Sequence, residues 1–519
     1  MSPVSRRDLI RTGLLAGGAA ALFPASAVAS PGHAGAPAFV RSRPVLTHGI
    51  QSGDVSADAG LVWARADRPS RMLVEVSRTP SFRRSRLVRG PVLTPGTDVT
   101  GKVGLTGLPD GEQLFYRVRL EDERGVTGAP EVGSFRTAPR RARDLSFVWS
   151  ADLAGQGWGI NPDEGGFRIF RAMEAVDPDF FLCSGDTIYA DGPIPATRAL
   201  PDGRVWRNIT SEAKSKVAET LAEYRGQYEY NLRDANLRHF AARVPQVNQW
   251  DDHEVRNNWF PGQVLDDPRY TEKNVDVLAA RAARAFHEWV PIEQVHGDGD
   301  RVYRKRSYGP LLDLFVLDMR TYKDPNGPNR YADPARGLLG TRQREWLKRE
   351  LAASRATWKV IANDLPLGLV VPDQPGTFEG VAQGDTGAPL GRELEFADIL
   401  QSAHRRGVTG IVFLTADVHY TAAHHYDPAR AAVQDFTPFW EFVSGPLNAG
   451  AFGPNPLDGT FGPRAEFVSA PPHPDASPAE GFQFFGQVSI DGASGVMTVR
   501  LRDSGGRVLW STELAPPRR

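Results

Sequence analysis

The 519-residue chain contains a single cysteine, Cys183, and this scarcity excludes two kinds of stabilising site. One thiol cannot form an intramolecular disulfide, and it cannot supply a cysteine-rich zinc site. Cys183 lies within an apolar run, which is typical of a small buried core residue. Any metal site in this chain is therefore expected to use oxygen and imidazole ligands.

The chain also has no excess of positive or negative charge. The 61 basic and 62 acidic residues give a formal net charge of −1. Proteins that bind nucleic acid usually carry a basic patch or stripe, so no nucleic-acid-binding surface is expected.

Long hydrophobic runs are absent as well. The mildly apolar stretch 12–23 is too short and too rich in glycine and alanine to form a stable membrane span. It follows the twin-arginine pattern Ser5-Arg6-Arg7-Asp8-Leu9-Ile10 and precedes a small-x-small cleavage site, Ala27-Val28-Ala29. Residues 1–29 are therefore predicted to be a twin-arginine signal peptide, with the twin-arginine translocase as a partner during export. The mature protein is expected in the periplasm or at the cell surface.

Two regions with different patterns follow a Pro/Gly-rich linker at 30–43. Residues 44–138 contain short alternating runs separated by turns and no helical period, which predicts a small fibronectin type III-like β-sandwich. The clearest of its strands are 61–64, 72–76, 113–120 and 133–137.

From residue 144 to the end, short apolar runs alternate with helical patterns, which predicts a layered domain of strands and helices. The predicted strands are 145–150, 179–184, 244–249, 311–317, 358–362 and 410–415, and the predicted helices are 212–240, 276–290 and 342–353. Residues 446–480 are expected to form a long loop. Strands at 486–490 and 496–501, followed by a turn at 504–506, are expected to extend the central sheets.

Polar side chains follow all six of these main predicted strands. They are Asp152; Asp186 and Tyr189; Asp251, Asp252, His253 and Glu254; Asp318 and Arg320; Asn363 and Asp364; and Asp417 and His419. A single aspartate after a strand is usually a helix cap. Six such clusters are poorly explained as independent caps, and ligand sites of α/β sheets collect at the carboxyl ends of strands. These side chains are therefore expected to converge on a metal site.

The stretch Gly185-Asp186-Thr187-Ile188-Tyr189 is the centre of this hypothesis, although by itself it is equally consistent with an ordinary strand-to-loop turn. Asp186 can bridge two cations because a carboxylate has lone pairs on both oxygens. Asp152, Tyr189 and His419 complete one ligand set, whose phenolate and imidazole suit Fe(III).

Asp252, Asp417 and either Asn363 or Asp364 complete a second ligand set without imidazole, which suits Ca²⁺, Mg²⁺ or Mn²⁺. Two or more metal ions are expected, with Fe³⁺ plus Ca²⁺ as the leading pair and Mg²⁺, Mn²⁺ or Zn²⁺ as alternatives.

Such a pair of cations can hold a hydroxide that attacks phosphorus while a phosphoryl oxygen is clamped. His253 is then expected to protonate the leaving alkoxide, and Arg320 to neutralise phosphate charge. The alternatives are a core histidine bonded to backbone for His253 and a structural salt bridge with Asp318 or Asp324 for Arg320.

Seven motifs spread over nearly the whole mature chain carry a family resemblance. They are His48-Gly49-Ile50-Gln51-Ser52-Gly53-Asp54, Gly185-Asp186-x-Ile188-Tyr189, Trp250-Asp251-Asp252-His253-Glu254-Val255-x-Asn257-Asn258, Leu317-Asp318-x-Arg320, Leu339-Gly340-x-x-Gln343-x-x-Trp346-Leu347, Asp417-x-His419 and Glu441-Phe442-x-Ser444-Gly445-Pro446. Together they resemble the alkaline phosphatase D family of calcineurin-like metallophosphoesterases. The resemblance implies a four-layer αββα sandwich after the N-terminal β-sandwich, and a metal-dependent phosphomonoesterase or phosphodiesterase.

The resemblance also maps residues of the superfamily's motifs onto this chain. Asp252 falls at the asparagine ligand, His253 at the catalytic histidine, and Asp417 replaces the first histidine of the terminal Gly-His-x-His motif. The best-known family members have a cysteine in the first motif, where this chain reads Ser150-Ala151-Asp152. This departure bears on the identity of the metals more than on the reaction.

The expected function is thus an exported phosphoesterase that scavenges phosphate from small or polymeric phosphate esters. One alternative is a phosphodiesterase, similar to phospholipase D, that acts on phospholipid, teichoic acid or nucleotide diesters. A second is a metal-stabilised surface binding module without activity.

Overall fold

The computed structural model describes residues 42–294, 298, 300–333 and 335–518. The predicted signal peptide, 1–29, and nearly all of the predicted linker, 30–43, lie outside the described residues. Within the described residues, none of the helices combines the length and apolar character needed to cross a bilayer.

The alternating runs at the start of the described chain form seven strands. They are β1 (Leu46–Gly53), β2 (Ala59–Ala66), β3 (Ser70–Ser77), β4 (Ser85–Leu93), β5 (Thr100–Thr106), β6 (Gln113–Glu121) and β7 (Glu131–Arg136). One sheet has the order β4-β3-β6-β7, whereas β1, β2 and β5 belong to a second sheet. Val62 of β2, Val74 of β3 and Tyr116 of β6 share one buried core between the two sheets. The N-terminal region is therefore rich in β-structure, as expected.

The remaining strands belong mainly to two large sheets. They are β8 (Leu145–Ser150), β9 (Phe180–Ser184), β10 (Thr197–Ala199), β11 (Val205–Arg207), β12 (Gln246–Gln249), β13 (Arg304–Tyr308), β14 (Leu312–Val316), β15 (Trp358–Ala362), β16 (Ile411–Thr415), β17 (Thr421–Tyr426), β18 (Phe439–Val443), β19 (Pro463–Ser469), β20 (Phe484–Ile490), β21 (Met497–Asp503) and β22 (Val508–Leu514). The nine-stranded sheet has the order β22-β21-β20-β8-β9-β12-β1-β2-β5, and the seven-stranded sheet has the order β13-β14-β15-β16-β18-β17-β19. Strands β10 and β11 form a separate pair.

Six α-helices of the described residues accompany these strands. They are α1 (Ile169–Glu174), α2 (Leu221–Asn231), α3 (Ala235–Ala241), α4 (Val275–Trp289), α5 (Gly340–Ala353) and α6 (Glu393–Arg405). Phe240 of α3 and Phe286 of α4 pack in one core with Phe181 of the nine-stranded sheet. Leu347 of α5 and Phe396 of α6 share another core with Phe315 of the seven-stranded sheet.

A third core lies between the two large sheets. Leu182 of β9 and Val247 of β12 pack there with Val360 of β15 and Leu414 of β16. These strands point alternate side chains to opposite sides, so each sheet contributes to an inner and an outer core. Buried on both faces, the strands read as continuous apolar runs.

The prediction of a single helix over 212–240 was wrong. The structure has a short 3-10 helix at Glu212–Lys214 and then the separate helices α2 and α3. Thr220 and Glu223 form a capping box that begins α2, and the Asp234 side chain accepts a hydrogen bond from the Leu237 amide at the start of α3. Both caps are local polar signals within an otherwise helical pattern. The predicted loop 446–480 also contains the strand β19.

The nine-stranded sheet crosses the predicted boundary between the N-terminal region and the rest of the chain. Gly53 of β1 pairs in parallel with Gln246 of β12. Just beyond β1, the buried carboxylate of Asp54 lies 2.8 Å from Arg304 and 2.9 Å from Arg306. The two regions are therefore joined by a shared sheet and by a buried ion-pair cluster.

Candidate active site

Parallel strands bring the predicted ligands to one place. Strands β8, β9 and β12 run parallel side by side in one large sheet, and β14, β15 and β16 do so in the other. Three groups of side chains at their carboxyl ends have potential ligand atoms within 4.8 Å of one another. They are Asp152, Asp186 and His419; Asp186, Asp252 and His253; and Asp251, Asp252 and Asp417. Asp186 belongs to two of the groups, as its predicted bridging position requires.

Four of the site residues have left-handed backbone conformations, which set the directions of their side chains. Asp152, Asp186, Asp417 and His419 have positive φ angles of 66°, 46°, 66° and 60°, respectively. Residues with a side chain rarely adopt this left-handed region, and such strain collects at functional sites.

Glycine is needed where the loops approach most closely. A Cβ atom at Gly445 would lie 2.2 Å from Asp152 Oδ2, and a Cβ atom at Gly185 would lie 2.3 Å from Asp251 Cβ. Both contacts are too close for any residue with a side chain, so these two glycines let the ligand loops close around the site.

The first predicted ligand set is assembled around His419. Its Nε2 lies 2.8 Å from the hydroxyl of Tyr189 and 3.7 Å from Asp152 Oδ1. Its Nδ1 donates a hydrogen bond of 2.5 Å to the carbonyl oxygen of Gly450. Because a carbonyl can only accept, Nδ1 carries the proton and Nε2 is left with a lone pair. Burial lowers the pKa of His419 to about 4, so the ring is neutral, as a metal ligand must be.

The site holds more buried negative charge than its own cations balance. Burial and then neighbouring carboxylates raise the pKa values of Asp152, Asp186 and Asp417 well above their usual range. Both carboxylate oxygens of Asp152 and Oδ1 of Asp252 are buried without a hydrogen-bond partner. Buried polar atoms nearly always have a partner, so these orphaned oxygens fit hard cations bound between them.

The sequence left either Asn363 or Asp364, which follow β15, as a ligand of the second cation, and the structure distinguishes between them. Asn363 is fully buried, and neither its Oδ1 nor its Nδ2 has a hydrogen-bond partner. Asp364 is already engaged, because it accepts hydrogen bonds from Arg320 Nε at 2.9 Å and from Gln249 Nε2 at 3.2 Å. Of these two residues, Asn363 therefore has the free oxygen atom that could bind a metal.

Arg320 is buried and contacts carboxylates of the candidate site. Its side chain is fully buried and pairs with four carboxylates, those of Asp251, Asp364, Glu379 and Asp417. The alternative of a structural salt bridge is thus closer to the observed geometry than a phosphate contact, although its expected partners, Asp318 and Asp324, were wrong. Asp318 instead accepts hydrogen bonds from the Arg320 amide and from Trp250.

His253 is oriented by a residue that sequence reasoning missed. Its Nδ1 lies 2.6 Å from Asp191 Oδ1, and Asp191 also accepts a hydrogen bond from the Asn257 amide. Burial opposes the charged imidazole, but Asp191 and Asp252 raise the pKa of His253 to about 9. The only available signal was the position of Asp191 two residues after Tyr189, because the two partners are 62 residues apart in the sequence.

Glu254 belongs to the predicted strand-end cluster, but the sequence did not indicate its role. Its buried carboxylate accepts hydrogen bonds from the backbone amides of Asp186 at 3.1 Å, Thr187 at 2.7 Å and Asp251 at 2.7 Å. Glu254 therefore ties the loop after β9 to the loop after β12, and both loops carry predicted ligands.

Comparisons with known proteins agree on one family. Residues 147–501 match the family model described as PhoD-like phosphatase, and residues 32–139 match that of the PhoD-like phosphatase N-terminal domain. Alkaline phosphatase D of Bacillus subtilis (strain 168) is 25% identical over 439 residues, which are 79% of this chain and 70% of that protein.

Two solved structures resemble the fold. A structure of PhoD has a TM-score of 0.69 at 21% identity, with 92% of this chain and 90% of that chain covered. A purple acid phosphatase from yellow lupin (Lupinus luteus) seeds has a TM-score of 0.55 at 14% identity, with 91% and 74% covered.

Proposed function

This chain belongs to the PhoD-like phosphatase family and is a phosphoric ester hydrolase, and from that premise we propose that it is an exported, metal-dependent phosphoesterase that releases phosphate from organic esters. The observation that carries the proposal is the convergence of two ligand groups that share Asp186 at the ends of parallel strands. Independent helix caps would be scattered along the sheets, whereas the ligand atoms of each of these groups lie within 4.8 Å of one another.

We infer the ligands of each cation from the groups of neighbouring ligand atoms and from the buried oxygens that lack a hydrogen-bond partner, those of Asp152, Asp252 and Asn363. Asp152, Asp186, Tyr189 and His419 would hold the first, for which a phenol and one imidazole favour Fe(III). Asp186, Asp252, Asn363 and Asp417 would hold the second through oxygen alone, which favours Ca²⁺. When bound, two such cations supply Lewis-acid activation of water and neutralise phosphoryl charge.

The remaining steps belong to the protein's own side chains. His253 carries a proton that it can donate to the departing ester oxygen, and Asp191 holds the ring for that transfer through Nδ1. The ring of Tyr189 packs on His253 with centroids 4.1 Å apart, which restricts the imidazole from the other direction. Arg320 serves as a positioning residue that holds Asp251, Asp364 and Asp417 together.

The finer architecture is part of the proposal. The three cores shared by helices and sheets support a four-layer αββα arrangement. The core between β1-β2-β5 and β4-β3-β6-β7 supports a fibronectin type III-like sandwich whose first sheet continues into the larger one.

Export is inferred from the sequence alone. Arg6 and Arg7 precede a short Gly/Ala-rich apolar stretch, and Ala27-Val28-Ala29 offers a cleavage site. A route that carries folded proteins suits an enzyme that acquires its metals before it crosses the membrane.

The proposal is tested by metal analysis and visible absorption of the purified protein, together with hydrolysis of p-nitrophenyl phosphate and of its bis ester. Rates on the two esters decide between monoesterase and diesterase activity. Asp186→Asn is expected to lower kcat by more than about 100-fold, because loss of a direct ligand should exceed the effect of losing a residue that merely supports one. The matched control is Asp163→Asn, whose side chain is 70% exposed and which should keep full activity.

Each part of the proposal can fail separately. Full activity in Asp186→Asn would overturn the two-cation mechanism. Tyr189→Phe should abolish a tyrosinate–iron absorption band, and a colourless, iron-free and fully active protein would remove Fe(III) while leaving the hydrolase assignment intact.

A further inference from the structure

A pair of buried carboxylates lies outside the candidate active site. Glu393, in the first turn of α6, is fully buried, and Asp458 is 2% exposed. In the described part of the chain, no lysine, arginine or histidine forms an ion pair with either of them. The nearby Asp385 accepts a hydrogen bond from the Gly387 amide, and its ion pair with the exposed Arg330 is long, at 4.0 Å. Ionised carboxylates buried without a counter-charge are strongly destabilising.

Two oxygen atoms in this cluster lack any partner. Glu393 Oε1 and Gln383 Oε1 are both buried and accept no hydrogen bond, although the nearby hydroxyl of Thr460 partly offsets the raised pKa of Glu393. The Gln383 amide lies directly against the carboxylate of Glu393, because its Nε2 donates to Glu393 Oε2 at 3.1 Å. One cation would satisfy a buried amide oxygen and a buried carboxylate oxygen that lie on contacting side chains and both lack a partner.

The backbone holds these carboxylates in fixed orientations. The amide of Leu390 donates to Glu393 Oε2 at 3.1 Å, the amide of Gly384 to Asp458 Oδ2 at 2.6 Å, and the amide of Thr460 to Asp458 Oδ1 at 2.8 Å. Burial and then the charge of Asp458 raise the pKa of Glu393 to about 8, which reflects the missing positive charge. The cluster is therefore a rigid, oxygen-lined and electronegative site.

We propose that Glu393, Asp458 and the amide oxygen of Gln383 bind a hard divalent cation, Ca²⁺ being the ion that best suits these donors. This cation would join the segment 383–390 and the first turn of α6 to the segment 458–460. The site shares no residue with the ligand groups of the candidate active site, so it does not depend on the proposed catalytic metals.

The position of the cluster gives the cation a structural role beside the active site. Glu379, a few residues before Gln383, pairs with Arg320 and so with the carboxylates around it. Isolated bridges also pair Val370 with Ala382 and Leu369 with Leu457. A cation at Glu393 would brace this wall of the active site and raise the stability of the folded protein.

The test uses the full chain, stripped of metal with a chelator and dialysed into calcium-free buffer. Calcium binding is counted by equilibrium dialysis with radioactive calcium, and the rise of Tm on calcium addition is measured for the parent, Glu393→Gln and Glu395→Gln. Glu395 is a matched control, because it is a buried glutamate two residues away whose Oε2 accepts two backbone amides, those of Leu338 and Leu339.

Glu393→Gln is expected to bind one calcium fewer than the parent and to lose part of the calcium-dependent rise in Tm. Glu395→Gln should bind as many calcium ions as the parent. Equal stoichiometry in Glu393→Gln and the parent would overturn the proposal. Once its active-site metals are restored, a folded Glu393→Gln variant should still hydrolyse p-nitrophenyl phosphate, which separates this site from the proposed function.

A second variant decides the matter if Glu393→Gln does not fold. Gln383→Glu places another carboxylate beside Glu393, so it should lower the Tm of the calcium-free protein and bind calcium more tightly than the parent. If calcium does not reverse that loss of Tm, Glu393 is simply a neutral acid in a cation-free pocket, and the proposal is wrong.

Discussion

At the scale of single residues, the imidazole of His253 is held from two directions. Asp191 accepts a hydrogen bond from Nδ1, and the Tyr189 ring packs on its face. A proton donor restricted in this way matters most when the leaving group is a poor one.

His253→Asn and Asp191→Asn should therefore affect esters unequally. For an alkyl phosphate, whose alkoxide needs a proton as it leaves, kcat/KM should fall by about 100-fold or more. For p-nitrophenyl phosphate the loss should be much smaller, because the nitrophenolate leaves without protonation. Steady-state kinetics on both esters measures the difference, with the exposed Asp202→Asn as control. Equal losses on the two esters would contradict proton donation by this pair.

Asn363 and Asp364 are neighbours for which opposite outcomes are expected. Asn363→Leu removes an unpaired buried amide oxygen, so it should reduce the metal content of the purified protein with a small change in Tm. Asp364→Asn weakens the hydrogen bonds that Asp364 accepts from Arg320 and Gln249, so it should mainly lower Tm and leave the metal content nearly unchanged. Elemental analysis and thermal denaturation of both variants test the assignment of Asn363 as the metal ligand. A loss of metal in Asp364→Asn with only a lower Tm in Asn363→Leu would exclude it.

At the scale of secondary structure elements, the end of β1 is fastened to β13. Asp54 pairs with Arg304 and Arg306, and it also accepts a hydrogen bond from the amide of Glu293 at 2.7 Å. Burial alone would raise the pKa of Asp54, but the two arginines lower it to about 2. A carboxylate with a lowered pKa in the folded state stabilises the protein above its unfolded pKa, and that contribution is lost as the pH falls toward the folded value.

Asp54→Asn should destabilise the protein by about 3–5 kcal/mol near neutral pH, because the buried guanidinium of Arg304 loses its counter-charge while Arg306 still pairs with Glu293. The stability difference between parent and variant should narrow by about 1 kcal/mol between pH 5 and pH 3, since only the parent's carboxylate titrates. Thermal denaturation of both proteins at each pH measures it. Asp58→Asn is the control, since this side chain forms an exposed pair with Arg140 and should change neither quantity. A constant difference across this pH range would show that the charge of Asp54 is not what stabilises the contact.

Local sequence patterns were sufficient to predict most individual strands, but they did not predict which strands pair with each other or to which sheet each strand belongs. The runs 145–150 and 358–362 are strands with the predicted bounds, as β8 and β15. Most of β1 is buried, yet nothing in the local sequence indicates that it pairs with β12, nearly 200 residues later. The short helix α1 and the longer α6 were not predicted at all.

The same limit applies to the site. The carboxyl-end rule brought Asp152, Asp186 and His419 together correctly, because it depends only on strand direction. The role of Asp191, the role of Glu254 and the partners of Arg320 were missed because each depends on a hydrogen bond or ion pair between segments far apart in the sequence. Contacts between residues far apart in the chain produce no recognisable spacing pattern in the sequence.

At the scale of the whole molecule, the proposed twin-arginine route would require folding and metal binding to come before transport. The double substitution Arg6→Lys and Arg7→Lys should leave the protein in the cytoplasmic fraction with its N-terminal segment uncleaved. Fractionation and mass spectrometry of the N-terminus measure both, and Arg11→Lys is the matched control that should still be exported. Normal export of the double variant would exclude the twin-arginine route.

The burial of Arg320 among four acidic side chains has a consequence for how the empty enzyme behaves. A guanidinium attached to the chain is a permanent counter-ion that neither chelators nor competing metals can extract. We expect the stripped protein to keep Asp251, Asp364, Glu379 and Asp417 gathered around one fixed charge. Metals returning from solution should then meet a cavity that has kept its shape, so that emptying and refilling the site should not require refolding.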